Sequence, residues 1–208
     1  PTVNAYYHPL FNEMVFPAGI LQPPFFSHDN PSAQNFGAIG MVMGHELSHG
    51  FDDAGRQFDP TGKMVPWWSD EAVAAFSERT QCVEDQFDAY EVQPGLNING
   101  KLTLGENIAD LGGLRVSFRA WQSFAEKHGE KGGSVEGLTD EQLFFVAYAQ
   151  SWCTVSAPEY EKMLVTSNPH SPDEYRVRGP LSNLAEFHEA FQCDVGSAMH
   201  PEKTCEIW

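Results

Sequence analysis

His45-Glu46-Leu47-Ser48-His49 places two imidazoles four residues apart, with a glutamate beside the first. On a helix, positions i and i+4 stand one above the other on a single face. Two rings so placed can hold one zinc ion from the same side. Glu46 then sits where a carboxylate can take a proton from a water at that metal. The flanks support a helix. Phe36 to Gly44 is a run of apolar and small residues, as expected of a buried helix packed closely on its neighbours. Gly50 follows the second histidine, where a helix can end or bend. A chain of this composition would carry the pattern by chance roughly 0.03 times, so two surface histidines near an unrelated glutamate are the poorer explanation.

A zinc site with two histidines needs a third protein ligand and one open position. Glu106 and Asp110 are also four apart, so a helix would project both carboxylates from one face. Glu106 can be the third ligand, and Asp110 can accept a hydrogen bond from the free ring nitrogen of a ligating histidine. Thr103-Leu104-Gly105-Glu106 reads equally well as a capping box, with Glu106 closing onto the backbone of Thr103. Spacing alone leaves both readings open.

The elements that must carry these residues are mostly helices. The zinc-motif helix is expected from about Ser32 to Phe51. Ser69 caps a second helix with Asp70 and Glu71 in its first turn, reaching about Tyr90. Residues 97–100 read as a turn, followed by a third helix from Thr103 to about His128. Gly129–Gly137 reads as a flexible connection, and Thr139-Asp140-Glu141-Gln142 as a capping box opening a very apolar helix to about Cys153. Pro172, at a first helical position, starts a short helix or turn, and Ser182 starts the last helix, through Phe191. Strand signal is concentrated at the N-terminus, in Val3–Tyr7 and Glu13–Phe16. Residues 17–34 are proline-rich and read as an ordered loop anchored by Ile20, Leu21, Phe25 and Phe26.

At 208 residues the chain is one domain, or a large part of one, with ample length for a core. Its net charge of −17 argues against nucleic acid and anionic membranes as partners. It has no run of about 18 apolar residues that could span a membrane. Residues 1–30 hold no lysine or arginine and no cleavable apolar core, so an export signal or anchor is expected outside this sequence. The four cysteines, at 82, 153, 193 and 205, contain no Cys-x-x-Cys. That spacing is neither a zinc knuckle nor a redox dithiol, and an even count in an exported protein suggests disulfides.

Gly105-Glu106-Asn107-Ile108-Ala109-Asp110 and Gly44 to Asp53 together resemble the catalytic domain of the neprilysin and endothelin-converting-enzyme family. Val3–Tyr7, Val15–Phe26 and the C-terminal Cys205-Glu206-Ile207-Trp208 add to the likeness, which runs nearly end to end in consistent order. These are zinc endopeptidases of the gluzincin type. The resemblance implies an α+β, mainly α-helical, thermolysin-like catalytic lobe over residues 1–208, with a short N-terminal strand pair. It implies one Zn²⁺ held by His45, His49 and Glu106, with Glu46 as general base. Asp110 is implied as an essential carboxylate and Asp52 as a similar support. His170 matches the histidine that stabilises the oxyanion. Arg176 matches the arginine that meets a substrate carbonyl or carboxylate. Asn4 and Ala5 match the strand that pairs with the peptide backbone. Ile20, Phe25, Met41, Val42 and Trp152 match the lining of the apolar pocket for the residue after the scissile bond.

The implied activity is hydrolysis of peptides on the amino side of bulky hydrophobic residues, in an extracellular or cell-surface setting. Family members carry a helical lobe that covers the active site, and only the catalytic lobe is expected here. By the same resemblance Cys82 pairs with Cys205, while Cys153 and Cys193 pair with cysteines preceding this segment. In an unusually short relative, those two would pair with each other or stay free. A zinc-containing peptide-binding module without turnover, or an impaired fragment, is the alternative function.

Overall fold

The computed structural model describes residues 2–130 and 132–208. One long helix organises it. Helix α4 (Leu104–His128) is preceded by Thr103 and ends at Gly129, whose φ of 69° suits a residue without a side chain. On one side of α4, Leu114, Phe118 and Trp121 pack against Phe144, Phe145 and Tyr148 of α5 (Asp140–Ser151) and against Leu181 and Leu184. On another, Ile108 and Leu111 pack with Phe76, Val83 and Phe87 of α3 (Asp70–Asp88) and with Ile207 near the C-terminus. A helix that is apolar around most of its circumference is a central one. Each fully buried side chain of this kind contributes about 1.5–3 kcal/mol.

The zinc-motif segment lies across α4. Its span matches the expected 32–51, but it is not one uniform helix. It runs as α1 (Ser32–Asn35), a π-helical turn over Phe36–Gly40, α2 (Met41–Ser48) and a 3₁₀ turn over His49–Phe51. The π turn disturbs the regular backbone ladder. The Ser117 hydroxyl of α4 donates to the Phe36 carbonyl there, at 2.6 Å. Two glycines set how closely α2 approaches α4. A Cβ on Gly113 would lie 2.4 Å from the His45 backbone nitrogen, and one on Gly44 would lie 2.6 Å from the Gly113 carbonyl oxygen. Any side chain at either position would push the helices apart and separate the residues they carry.

The N-terminal strand pair is present as β1 (Tyr6–His8) and β2 (Glu13–Val15), antiparallel, with Tyr6 opposite Val15. In the loop that follows, Ile20 is buried and Phe25 half-buried as expected, whereas Leu21 and Phe26 are exposed. Ser69 caps α3 by accepting from the Ala72 backbone N–H, and Thr139 and Gln142 form the reciprocal capping box of α5.

Several boundaries differ from the sequence reading. Of the turn placed at 97–100, Asn97 belongs to β4 (Leu96–Asn97), which Pro94 and Gly95 join to β3 (Glu91–Gln93), and the turn itself runs over Gly100–Leu102, closed by the Thr103 N–H on the Asn99 carbonyl. The connection expected to be flexible at 129–137 is, apart from Lys131, which lies outside the described residues, the start of a small hairpin. Its strands β5 (Ser134–Val135) and β6 (Leu138–Thr139) are joined through Glu136 and Gly137, both at positive φ. The sequence reading missed α6 (Pro158–Ser167), whose only fully buried residue is Val165. Helix α7 (Asp173–Leu181) has Pro172 just before its first turn rather than in it. Helix α8 (Ala185–Phe191) starts three residues after Ser182, which is in a turn with its hydroxyl bonded to Gly179.

The result is α+β and mainly helical, with three two-stranded hairpins among the described residues. Cys82 of α3 is bonded to Cys205, 123 residues away, tying the C-terminal tail to α3. In a chain-entropy account such a closure is worth about 5 kcal/mol. Cys153 and Cys193 are free thiols in this structure. No helix among the described residues is long and apolar enough to cross a membrane.

Candidate metal centre

Two imidazoles and four carboxylates gather where α2 crosses α4. His45 Nε2 lies 3.0 Å from His49 Nε2, and Glu106 Oε2 lies 3.3 Å from the first and 3.6 Å from the second. The other nitrogen of each ring is taken. His45 Nδ1 is 2.7 Å from Asp110 Oδ1, and His49 Nδ1 is 2.7 Å from Asp52 Oδ2. A carboxylate accepts and does not donate, so each Nδ1 carries a proton and each Nε2 is the nitrogen left to ligate a metal. Two ring nitrogens thus face each other beside a buried carboxylate oxygen that has no hydrogen-bond partner.

That arrangement is costly unless a cation sits among the three atoms. Charge says the same: Glu46, Asp52, Glu106 and Asp110 stand against the single guanidinium of Arg176. His45, His49 and Glu106 are positioned to bind a metal ion. Two imidazoles, one carboxylate and an open side are a donor set that suits zinc. Glu106 does not cap its helix. Thr103 Oγ1 instead donates to the Asn99 carbonyl and accepts from Asn107 Nδ2, and Glu106 faces the histidines.

The supporting residues are themselves held. Asp110 is fully buried, and Arg176 grips it with Nε on Oδ2 at 2.8 Å and Nη2 on Oδ1 at 2.7 Å. This bidentate pair fixes the carboxylate that fixes His45. The guanidinium lies 3.9 Å over the Trp152 ring, and Tyr148 donates its hydroxyl to the Arg176 carbonyl. Asp52 accepts from the backbone N–H groups of Ala54 and Gly55, at 2.9 and 2.6 Å, which orients it towards His49. Burial works against the charge on Asp110, yet Arg176 and His45 hold its pKa well below the usual carboxylate range. Burial would lower the pKa of His45, but Asp110 and Glu106 outweigh it and raise it to about 9. Burial likewise opposes ionisation of Glu106, and the surrounding histidines bring its pKa down to about 2. Glu46 is raised, mainly by burial, with His45 and His49 opposing.

A cleft of about 500 Å³ opens over these groups. Its lining includes Asn4, Ala5, Ile20, Phe25, Met41, Val42 and Trp152, so residues far apart in sequence line one cleft. His170 enters from the loop before α7, its Nε2 3.2 Å from Glu106 Oε2. Arg176 is buried against Asp110 and also reaches the cleft, with Nη2 3.9 Å from Glu106 Oε2. The sequence reading missed Tyr7 and Phe58, which line the same cleft, and Asn168, which bonds to His170. An asparagine two residues before a loop histidine is a signal for a side-chain-to-backbone turn, and it was available at Asn168.

A model of peptidase family M13 matches residues 4–207. The chain belongs to this family. Rat (Rattus norvegicus) endothelin-converting enzyme 1 is 51% identical over 209 residues, covering 100% of this chain and 27% of that protein. Neprilysin-1 of Caenorhabditis elegans is 50% identical over 210 residues, covering 99% of this chain and 28% of that protein. Among solved structures, the Mycobacterium tuberculosis zinc metalloprotease Zmp1 in complex with an inhibitor superposes with a TM-score of 0.94 at 41% identity. It covers 99% of this chain and 32% of that one. This M13 chain therefore spans about a quarter to a third of the length of such relatives.

Proposed function

We propose that this chain is the catalytic domain of a zinc-dependent endopeptidase that cuts peptides on the amino side of bulky apolar residues. The observation that carries the reading is Glu106 Oε2, a buried carboxylate oxygen with no hydrogen-bond partner that faces the Nε2 atoms of His45 and His49, with Glu46 beside it in an open cleft. One zinc per chain, when bound by His45, His49 and Glu106, would act as a Lewis acid on the scissile carbonyl and bring the pKa of a water towards about 7.

Glu46 takes the proton of the attacking water on its carboxylate and returns it to the departing amine. Its burial, which raises its basicity, suits that work. Protonated His170 donates from Nε2 to the oxygen where negative charge develops, a contribution of about 3 kcal/mol for one well-placed donor. Asp110 and Asp52 keep the ligand rings in one tautomer. Arg176 holds Asp110 and meets a substrate carbonyl or carboxylate on the leaving side. Asn4 and Ala5 extend β1 into the cleft, where an extended peptide adds to its edge through main-chain bonds. The wall of Ile20, Phe25, Met41, Val42 and Trp152 selects bulky apolar side chains. Such a pocket separates single methylenes by only about 1–3 kcal/mol, so the preference is broad.

The partners are peptides and, in a longer polypeptide, a helical lobe covering the cleft. The Cys82–Cys205 bond suits an oxidising, extracellular or cell-surface setting. The chain's small share of its relatives' length favours a second reading, a zinc-containing peptide-binding or impaired domain that turns over only with that lobe. The Glu46→Gln variant separates them. A peptidase keeps its zinc and its peptide affinity but loses cleavage, whereas a binding module has no cleavage to lose.

A further inference from the structure

We propose that the stacked rings of His188 and His200 form a proton-sensitive fastener, which holds the loop at 194–200 closed on α8 at neutral pH and lets it open in acid. The metal centre takes no part in this device, so it stands apart from the peptidase reading.

The two rings lie face to face, with centroids 3.7 Å apart and planes 14° from parallel. His188 is on α8 and buried, and His200 is half-buried at the end of the loop. The loop is folded on itself. The Ser197 N–H meets the Asp194 carbonyl at 3.1 Å, the His200 N–H meets the Ser197 carbonyl at 3.0 Å, and the Gly196 N–H meets the His200 carbonyl at 2.7 Å. Beyond it the chain is anchored at Cys205, which is bonded to Cys82 and gives its N–H to Asn183 Oδ1 at 2.7 Å. Between α8 and that anchor, the His200 ring and the half-buried Met199 hold the loop to the domain.

The hydrogen bonds define the neutral state. His188 Nε2 is 3.2 Å from the Ser182 carbonyl oxygen, and His200 Nδ1 is 2.8 Å from that of Cys193. A carbonyl only accepts, so these two nitrogens carry protons and both bonds form with both rings uncharged. One further proton leaves a cation against a neutral ring, which is a favourable pair. A second sets two positive charges face to face at van der Waals distance. Burial, and then His200, lower the His188 pKa, while the Ser182 and Met199 carbonyls and Glu186 of α8 pull the other way without prevailing. Relief from other elements is small. Ser182, Asn183 and Leu184 in the turn before α8 are uncharged, α5 meets α8 through Phe145, and Glu189, Asp194 and Lys203 are exposed to solvent.

Once the loop leaves, each ring takes its own proton. The open form therefore binds more protons than the closed one. Closure is complete above pH 6.5, the ordinary histidine pKa, and weakens as the pH falls below it. Protonation of His188 leaves its Nε2–H on Ser182, so α8 keeps its tie to the end of α7 while the loop opens.

Amide hydrogen exchange at Gly196, Ser197 and His200 tests this, because bonds inside so short a loop do not persist once it leaves the domain. Each rate is divided by that of the unfolded chain at the same pH. From about pH 7.5 to about pH 5 the protection of these amides is expected to fall about five-fold or more, while that of α4 holds. His200→Asn keeps an amide donor for the Cys193 carbonyl but cannot titrate, so its loop protection should change less than about two-fold over the same range. Ring NMR of the wild type, assigned by signal loss in His200→Asn and His188→Gln, should show two well-separated steps of proton uptake and Nε2–H on neutral His188. Equal pH dependence in wild type and His200→Asn would overturn the proposal, and so would two rings that titrate independently. If His200→Asn does not fold, the wild-type titration decides alone, its two histidine signals then being assigned from His188→Gln.

Discussion

The two walls of the cleft are built in opposite ways. One wall is the α2–α4 crossing, where glycines bring two backbones into contact and His45, Glu46 and Asp110 are buried. Each ligand ring there is held by a carboxylate, and one of those carboxylates is held by an arginine. The other wall is made of the N-terminal strand pair and the loop before α7, where Asn4, Tyr6 and His170 are exposed. Among the described residues, β1 pairs with β2 alone, leaving its other edge open. The difference teaches where precision is needed. On the proposed function, groups that would meet a metal to within a few tenths of an ångström sit on packed helices, and groups that would receive varied peptides sit on an open edge.

If that contrast is right, damage to the helical wall should cost more than damage to the open one. The largest effect is expected from Asp110→Ala. It frees Arg176 in a buried position and should cost about 3–5 kcal/mol of stability. It should also weaken zinc binding about 10–100-fold. Denaturant unfolding and zinc competition against a chelating dye measure the two. Next comes His170→Ala, on the open wall but acting on transition-state charge. It should lower kcat about 10²-fold with KM nearly unchanged and zinc content intact. Equal kcat in the variant would remove His170 from the chemistry.

Gly113→Ala sharpens the comparison most cleanly, because it replaces no polar side chain. The added methyl must displace the His45 backbone, and about 1–3 kcal/mol of stability should be lost along with zinc affinity. A variant with unchanged melting temperature and zinc affinity would mean that the close helix approach is not what sets the ligands. The smallest effect belongs to the edge. Asn4→Ala keeps the main-chain bonds and removes only a bond from the side-chain amide to the peptide, near 1 kcal/mol, so KM should rise about five-fold while kcat and melting temperature stay.

The same contrast governs what could be read from sequence. His45, Glu46 and His49 were legible because helical spacing alone puts them on one face. Glu106 was half legible, since one spacing served both a ligand and a cap. Only the position of α2 against Gly113 turns it to the histidines. The apolar wall and the Cys82–Cys205 pairing came from family resemblance, as neither has a local pattern. The Ser171 contact with Asn107 is set by the tertiary path of one loop, which its neighbours in sequence do not reveal, whereas the turn from Asn168 to His170 is local and was open to reading. Helix α6 was missed because it buries almost nothing and so shows no apolar stripe. The β3–β4 and β5–β6 hairpins are two or three residues per strand, too short for alternation to register.

The central claim is that one zinc held by His45, His49 and Glu106 drives peptide hydrolysis by this chain. Stripping the protein with a chelator and titrating zinc back while following cleavage of a peptide with a bulky apolar residue after the scissile bond tests it directly. The account predicts that cleavage disappears on stripping, returns in proportion to added zinc, and levels off at about one ion per chain. Cleavage that survives stripping, or one zinc bound per chain with no cleavage at all, would contradict it.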